Sequence, residues 1–231
     1  MNYPEQFVIS ENPEIVEVIS LGDTMMQDRY GKQGERPLAY HCEIHSRDVA
    51  EDAMAMMAYA GRSQRLIGLM GIAGTYHDIE HSLSNGDNER ASADVAVREM
   101  DKIGGFSLEE KGLVYYGILA TITKVDSNGK VSQSPRLHVF TDEVVADADL
   151  AHLGKPTDIF LAAGDRLFKE RYPGSPLNGP EYAAFDKFQL DFIRGHRFYT
   201  LQADLLFPTV NQRANICAIK QRIADRTINP G

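Results

Sequence analysis

Gly74-Thr75-Tyr76-His77-Asp78-Ile79-Glu80-His81 sets an imidazole beside a carboxylate, with a second imidazole four residues on. The run before it is apolar: Leu66, Ile67, Leu69, Met70, Ile72 and Ala73. That density predicts a buried helix over 64–81. Such a helix cannot end in three ionisable groups without partners, because an unpaired buried charge is costly. A metal ion satisfies a neutral His and an ionised Asp together.

Working outward, the chain reads as a series of helices. Asn12-Pro13-Glu14 is a helix start, with a cap, a proline at the first position and an acid near the positive end. Its apolar residues continue to about Arg29. A Gly-containing basic loop spans 30–37. A second helix is expected from about Tyr40, carrying His41, His45, Val49, Ala53 and Met56 at spacings of three or four. Gly61-Arg62-Ser63 separates it from the 64–81 helix. After the polar loop 82–87, Asn88-Glu89 opens a fourth helix, which Gly104-Gly105 ends. Ser107-Leu108-Glu109-Glu110 is a capping box for a fifth. The Asn128-Gly129 pair could close a hairpin, but neither flank alternates for long, which favours a loop. Helices are expected over 139–153, 157–172, 181–206 and 209–227, the last with Thr209-Val210-Asn211-Gln212 as capping box. The stretch 173–180, with its glycines and prolines, is a surface loop. The late aromatics Phe185, Phe188, Phe192, Phe198 and Tyr199 read as packing. No run alternates convincingly, so the fold class is all-α. One domain over 1–231 is expected, with a core at about 38–155 and C-terminal helices at about 156–229 packed on it.

Composition narrows the function. The 231 residues are 43% hydrophobic, which is globular rather than disordered. A net charge of −9 argues against nucleic acid as a partner. It leaves room for a small phosphorylated substrate, since a metal supplies local positive charge. Cys42 and Cys217 match no zinc or redox spacing. The N-terminus lacks a secretory pattern, and no apolar run nears the ~20 residues that span a bilayer. A cytoplasmic protein with no membrane partner is expected. A homodimer is compatible with this reading.

The chemistry-bearing residues recur on three predicted helices. His41 and His45 are four apart, as are His77 and His81, with Asp78 between the latter pair. Asp147 and Asp149 interrupt an apolar helix at Val144-Val145-Ala146-Asp147-Ala148-Asp149-Leu150. A cation could gather these into one mixed N/O site, which suits Mn, Fe, Co, Ni or Zn. Mg prefers oxygen and fits a second, weaker site. His138, His152 and His196 read as surface or core residues.

This H…HD…D pattern resembles the HD-domain metal-dependent phosphohydrolases. Tyr40-His41-x-x-x-His45 and His77-Asp78-x-x-His81 are similar to motifs of cyclic-nucleotide phosphodiesterases. Asn88-Glu89-x-x-Ser92-Ala93, Asp147-Ala148-Asp149-Leu150 and Leu153-Gly154 resemble a bacterial branch of predicted HD phosphohydrolases, as do Phe198-Tyr199-Thr200 and Arg213-Ala214-Asn215. The resemblance implies a helical bundle whose metal ligands are His45, His77, Asp78 and Asp149, with Asp147 as a competitor for the last place. It implies a divalent transition metal, with a second Mg or Mn held more weakly. His41 would protonate the leaving oxygen, and His81 would stand beside the nucleophilic water. Lys124 is a candidate for a phosphate oxygen, and Glu89 for a substrate- or ligand-orienting role. The implied activity is hydrolysis of a phosphomonoester or phosphodiester of a nucleotide or other small molecule. A diiron oxygenase on the same fold and a metal-stabilised binding module are the alternatives. Few extra histidines stand between the His-Asp pair and the last Asp, which counts against the oxygenase.

Overall fold

The computed structural model describes residues 11–81, 87–125 and 131–228. The apolar patch Phe7-Val8-Ile9, most of the 82–87 loop and the Asn128-Gly129 turn lie outside the described residues. The fold is all-α: ten helices and one two-stranded ribbon among the described residues. In order these are α1 (Pro13–Tyr30), α2 (Glu43–Tyr59), α3 (Gln64–Tyr76), α4 (Asp87–Ile103), α5 (Leu108–Leu119), β1 (Lys124–Val125) and β2 (Val131–Ser132). Then come α6 (Phe140–Asp149), a 3-10 turn (Ala151–Gly154), α7 (Thr157–Arg171), α8 (Pro180–Gly195), α9 (Leu201–Leu206) and α10 (Thr209–Ile228). No helix among the described residues is long and apolar enough to cross a membrane.

The apolar run identified in the sequence is the centre of the structure. From Ile67 to Tyr76 every residue of α3 is buried. Helices α1, α2, α4, α5 and α6 pack around it. The core between them is built from Ile15, Val18, Met26, Met56, Met57, Met70, Val114, Val144 and Val145. Thioether side chains fill gaps between the rigid branched ones. Tyr76, fully buried, donates its hydroxyl to the Val18 carbonyl at 3.1 Å. Outside the core Arg65 ties three helices together, bonding Glu14 on α1 and Glu110 on α5. Glu110 also completes the capping box with Ser107.

One position sets how close α2 and α3 come. A Cβ on Gly74 would lie 2.6 Å from Ala50 Cα and 2.7 Å from Ala50 N. In an open helix Gly→Ala gains roughly 0.5–1 kcal/mol. Here the sign is expected to reverse. Gly74→Ala should lower stability by about 1–3 kcal/mol, the usual range for overpacking, because backbone rather than a flexible tip must move. A denaturant melt checks it.

Several boundaries differ from the sequence reading. Helix α2 begins at Glu43, so Tyr40 and His41 precede it. Helix α3 ends at Tyr76, so His77, Asp78 and His81 lie in the turn beyond it. Asn12 makes no cap bond and instead accepts from Arg65. The 139–153 helix stops at Asp149 and tightens into the 3-10 turn, whose carbonyls are taken by Asn211 and Asn215 side chains of α10. Thr209 is the first residue of α10 rather than its cap. The 181–206 helix breaks after Gly195 and restarts at Leu201 with Thr200 as cap. The segments on either side of Asn128-Gly129 do pair, Lys124 with Ser132 and Val125 with Val131. A two-residue register is too short to leave an alternating signature.

Helices α7, α8 and α10 form a second packed group around Phe160, Leu190, Ile193 and Ile219. Fully buried Asp186 of α8 is held by Arg222 and Arg226 of α10. Between the two groups lies the cleft described next.

Candidate metal centre

His45 enters from the first turn of α2, His77 and Asp78 from the turn after α3, and Asp149 from the last residue of α6. Their donor atoms converge. His77 Nε2 lies 3.0 Å from Asp78 Oδ2 and 3.5 Å from Asp149 Oδ1. His45 Nε2 lies 3.2 Å from Asp149 Oδ1 and 3.7 Å from Asp78 Oδ2. The two Nε2 atoms are 3.3 Å apart. Ligands about 2.1 Å from one ion stand roughly 3.0–3.4 Å from each other, so this spacing fits a shared cation. His45, His77 and Asp149 alone already bring three ligand atoms within 4.8 Å.

The turn is held rigidly. His77 Nδ1 donates to the Gly74 carbonyl at 2.7 Å, which leaves Nε2 as the lone-pair nitrogen of the neutral ring. Arg29 bonds the Ile79 carbonyl and Glu80, and the Tyr30 hydroxyl accepts from the His81 N–H. So the end of α1 clamps the segment directly after the His-Asp pair. Gln133 donates to Asp149 Oδ2 at 2.8 Å.

Electrostatics point the same way. Burial works against a charged His77, yet the Asp78 and Asp149 carboxylates outweigh it and hold its pKa well above the ordinary value. Burial likewise opposes charge on the two acids, but the imidazoles hold both well below the usual carboxylate range. His45 is shifted down, by burial first. Without a cation the cluster must take up protons to keep its lone pairs apart. A metal would release them.

A second group stands beside the first. His41 Nδ1 is hydrogen-bonded to Glu170 Oε1 of α7, and the backbone N–H groups of Tyr40 and His41 donate to Glu170 Oε2 at 2.8 and 3.0 Å. His81 stacks on His41, with centroids 4.2 Å apart and planes 23° from parallel. Its Nε2 is 3.8 Å from Glu170 Oε1. One ligand atom from each of His41, His81 and Glu170 lies within 4.8 Å of the others, so this trio can share a proton or hold a second cation beside the first site. Burial pulls the His41 pKa down, but Asp78 and the Glu170 hydrogen bond outweigh it and leave it raised. The His81 pKa is lowered by burial and by His41.

The remaining candidates separate. Glu89, on the first turn of α4, lines the cleft and keeps a buried Oε2 with no partner among the described residues. Burial, then Asp78 and Asp149, push its pKa up. Lys124 is exposed, and while its neighbours Thr123 and Val125 line the cleft, Lys124 does not. Among the described residues the guanidinium and ammonium groups lining the cleft are those of Arg36 and Arg171. Asp147 is buried away from the cluster. It accepts from the N–H groups of Tyr199 and Thr200 and from the Thr200 hydroxyl, each at 2.8 Å, and so organises the break between α8 and α9. Burial raises its pKa to about 7 against those three donors.

The cleft over these groups has a volume of about 700 Å³. One side is apolar, with Leu150, Phe160, Phe188 and Phe192. His152 also lines it, kept neutral by burial that lowers its pKa to about 3, and faces the Tyr40 hydroxyl at 3.4 Å. Phe188, Phe192 and His152, read from the sequence as packing or bland residues, are therefore cleft residues. Glu170 escaped the sequence reading altogether. It sits in the charged run Lys169-Glu170-Arg171 and carries no local signal of a site.

No family model matches the sequence, and no curated protein matches it. Solved structures do. YpgQ of Bacillus subtilis, crystallised in complex with ADP, superimposes with a TM-score of 0.61 at 19% identity, over 94% of this chain and 96% of that one. The phosphodiesterase domain of the RhoPDE fusion protein from the choanoflagellate Salpingoeca rosetta gives 0.64 at 14% identity, over 98% and 94%. The chain shares their fold. At such identities the likeness extends to architecture and stops there.

Proposed function

We propose that the protein is a metal-dependent phosphohydrolase acting on a phosphomonoester or phosphodiester of a nucleotide or another small phosphorylated molecule. The observation that carries this reading is the four-donor cluster at the cleft, directly beside a His–Glu proton pair. A structural ion would need the first and not the second. The ADP complex of YpgQ and the phosphodiesterase domain of the other neighbour agree with it.

The ligands would be His45, His77, Asp78 and Asp149, a mixed N/O set suited to Mn, Fe, Co, Ni or Zn. The ion would supply Lewis acidity toward phosphoryl oxygens and an acidified water. The chain's own residues do the rest. His41, whose pKa Asp78 and the Glu170 hydrogen bond raise, donates a proton to the leaving oxygen. Glu89, whose Oε2 has no partner among the described residues, and His81, whose pKa burial lowers, are placed to take a proton from the attacking side. Arg36 and Arg171 meet phosphoryl charge at the cleft. The apolar side excludes water and packs against the organic part of the substrate.

The test is a panel of 4-nitrophenyl phosphate, bis(4-nitrophenyl) phosphate and common nucleotides, assayed after chelation and again after adding Mn. Hydrolysis is expected only in the second condition. Oxygen consumption that depends on iron, with no phosphate release from any compound, would falsify the proposal.

A further inference from the structure

Beyond Leu150 and Phe192 lies a side chamber of about 250 Å³. Those two residues, with Thr123 and Val131, line both it and the main cleft. At ~30 Å³ per water the chamber equals roughly eight waters. It is smaller than the roughly 300–1,000 Å³ of a pocket that takes a whole ligand. The chamber is therefore sized for part of a ligand whose remainder occupies the cleft.

Two of its residues are poised for that part. Gln133 Oε1 and His196 Nε2 are buried with no hydrogen-bond partner among the described residues. Their residues are only 6% and 9% exposed. Such an atom left unmet costs about 1–3 kcal/mol, and most buried polar atoms in folded proteins are met. The orientation of Gln133 is fixed from the other end. Asp149 accepts and cannot donate when ionised, so the amide NH₂ faces it and the carbonyl is the end left over.

The chamber is also neutral and flat-walled. Burial keeps the His196 ring uncharged, with a pKa pulled down to about 4. The Arg197 guanidinium is turned back onto the carbonyls of Arg194 and His196. His196 meets Phe198 edge-on at 4.8 Å between ring centroids, and Phe192 stands 6.2 Å from it. Flat apolar walls with one carbonyl acceptor and one imidazole nitrogen match an uncharged heteroaromatic ring that carries an N–H.

We infer that this chamber is the specificity subsite of the cleft, taking a flat, uncharged heteroaromatic group whose N–H is accepted by Gln133 and whose edge also meets His196. The inference rests on the phosphohydrolase reading for the rest of the ligand. A nucleobase is such a group.

The experiment uses nucleosides, which carry no phosphate. Adenosine, cytidine, guanosine and uridine are titrated singly into the full chain, followed by calorimetry and by the ring ¹⁵N resonances of His196. At least one nucleoside is expected to bind and to shift those resonances. His196→Leu and Gln133→Met, each checked by a thermal melt, should weaken that nucleoside about tenfold, the scale of one buried hydrogen bond. If a variant does not fold, the His196 resonances of the unaltered protein decide alone. No binding by any of the four, binding that leaves the His196 ring unmoved, or affinity indifferent to both folded variants overturns the subsite. Turnover plays no part in these readings. Aryl phosphate hydrolysis without nucleoside binding removes the subsite and keeps the phosphohydrolase. Nucleoside binding without hydrolysis supports the subsite and removes the phosphohydrolase.

Discussion

Asp78→Ala is expected to leave the purified protein with about a tenth or less of the wild-type metal content, and to cut Mn-dependent phosphate release by on the order of 10³-fold. The first figure follows from ligand loss costing at least what loss of a ligand's supporting partner costs. The second follows from the several kcal/mol of charge stabilisation that an ion contributes, at about 1.36 kcal/mol per factor of ten. Asp78 is the residue to remove because its Oδ2 stands 3.0 and 3.7 Å from the two imidazole nitrogens, and its loss leaves Asp149 as the one carboxylate of the four-donor set. Asp147→Asn is the matching control. Its carboxyl is committed to residues 199 and 200, so metal content should stay at the wild-type level. Its amide would instead set an NH₂ against N–H donors, lowering the melting temperature by the equivalent of about 1–3 kcal/mol. Elemental analysis of the two proteins decides. Metal lost from Asp147→Asn would give Asp147 the ligand place assigned to Asp149, and metal kept in Asp78→Ala would remove Asp78 from the ligand set.

Asp147 and Asp149 show what the sequence could and could not reveal. Both follow an alanine in one apolar helix, and the resemblance selects Asp149 only by pattern. In the structure their difference is physical. Asp149 is the last residue of α6, where the backbone leaves the helix and the side chain reaches the cleft. Asp147 lies two residues earlier and points to the segment that α8 abandons at Gly195. The all-α class and the burial of α3 were legible because they depend on local apolar density and caps. The facing of His41 and His81 was not. Their i, i+4 spacings suggested two helical faces, yet both residues stand off the helices and meet each other through loops. Glu170 was invisible for a related reason. It is brought to His41 across 129 residues by the packing of α7, and sequence spacing carries no trace of that.

His41→Gln is expected to reduce kcat by about 10²–10⁴-fold for an alkyl phosphate while leaving 4-nitrophenyl phosphate far less affected. An alkoxide needs a proton as it departs, whereas 4-nitrophenolate leaves without one near neutral pH. Only a group that protonates the leaving oxygen predicts this split, since a residue that merely supports the fold would lower both rates together. Glu170→Gln then tests what keeps His41 charged. Burial lowers the His41 pKa, while Asp78 and the Glu170 hydrogen bond raise it above the ordinary value. A general acid works only below its own pKa, so the wild-type alkaline limb of kcat lies where the raised pKa puts it. Removing the Glu170 charge takes away one of the raising causes. The limb should therefore move to lower pH, with the acid side of the profile unchanged. Glutamine keeps a carbonyl for the N–H groups of Tyr40 and His41, so the loop remains tied to α7. A full pH profile of kcat on the alkyl phosphate is the measurement. An alkaline limb that stays in place while the rate falls at every pH would show that Glu170 orients the ring without setting its charge.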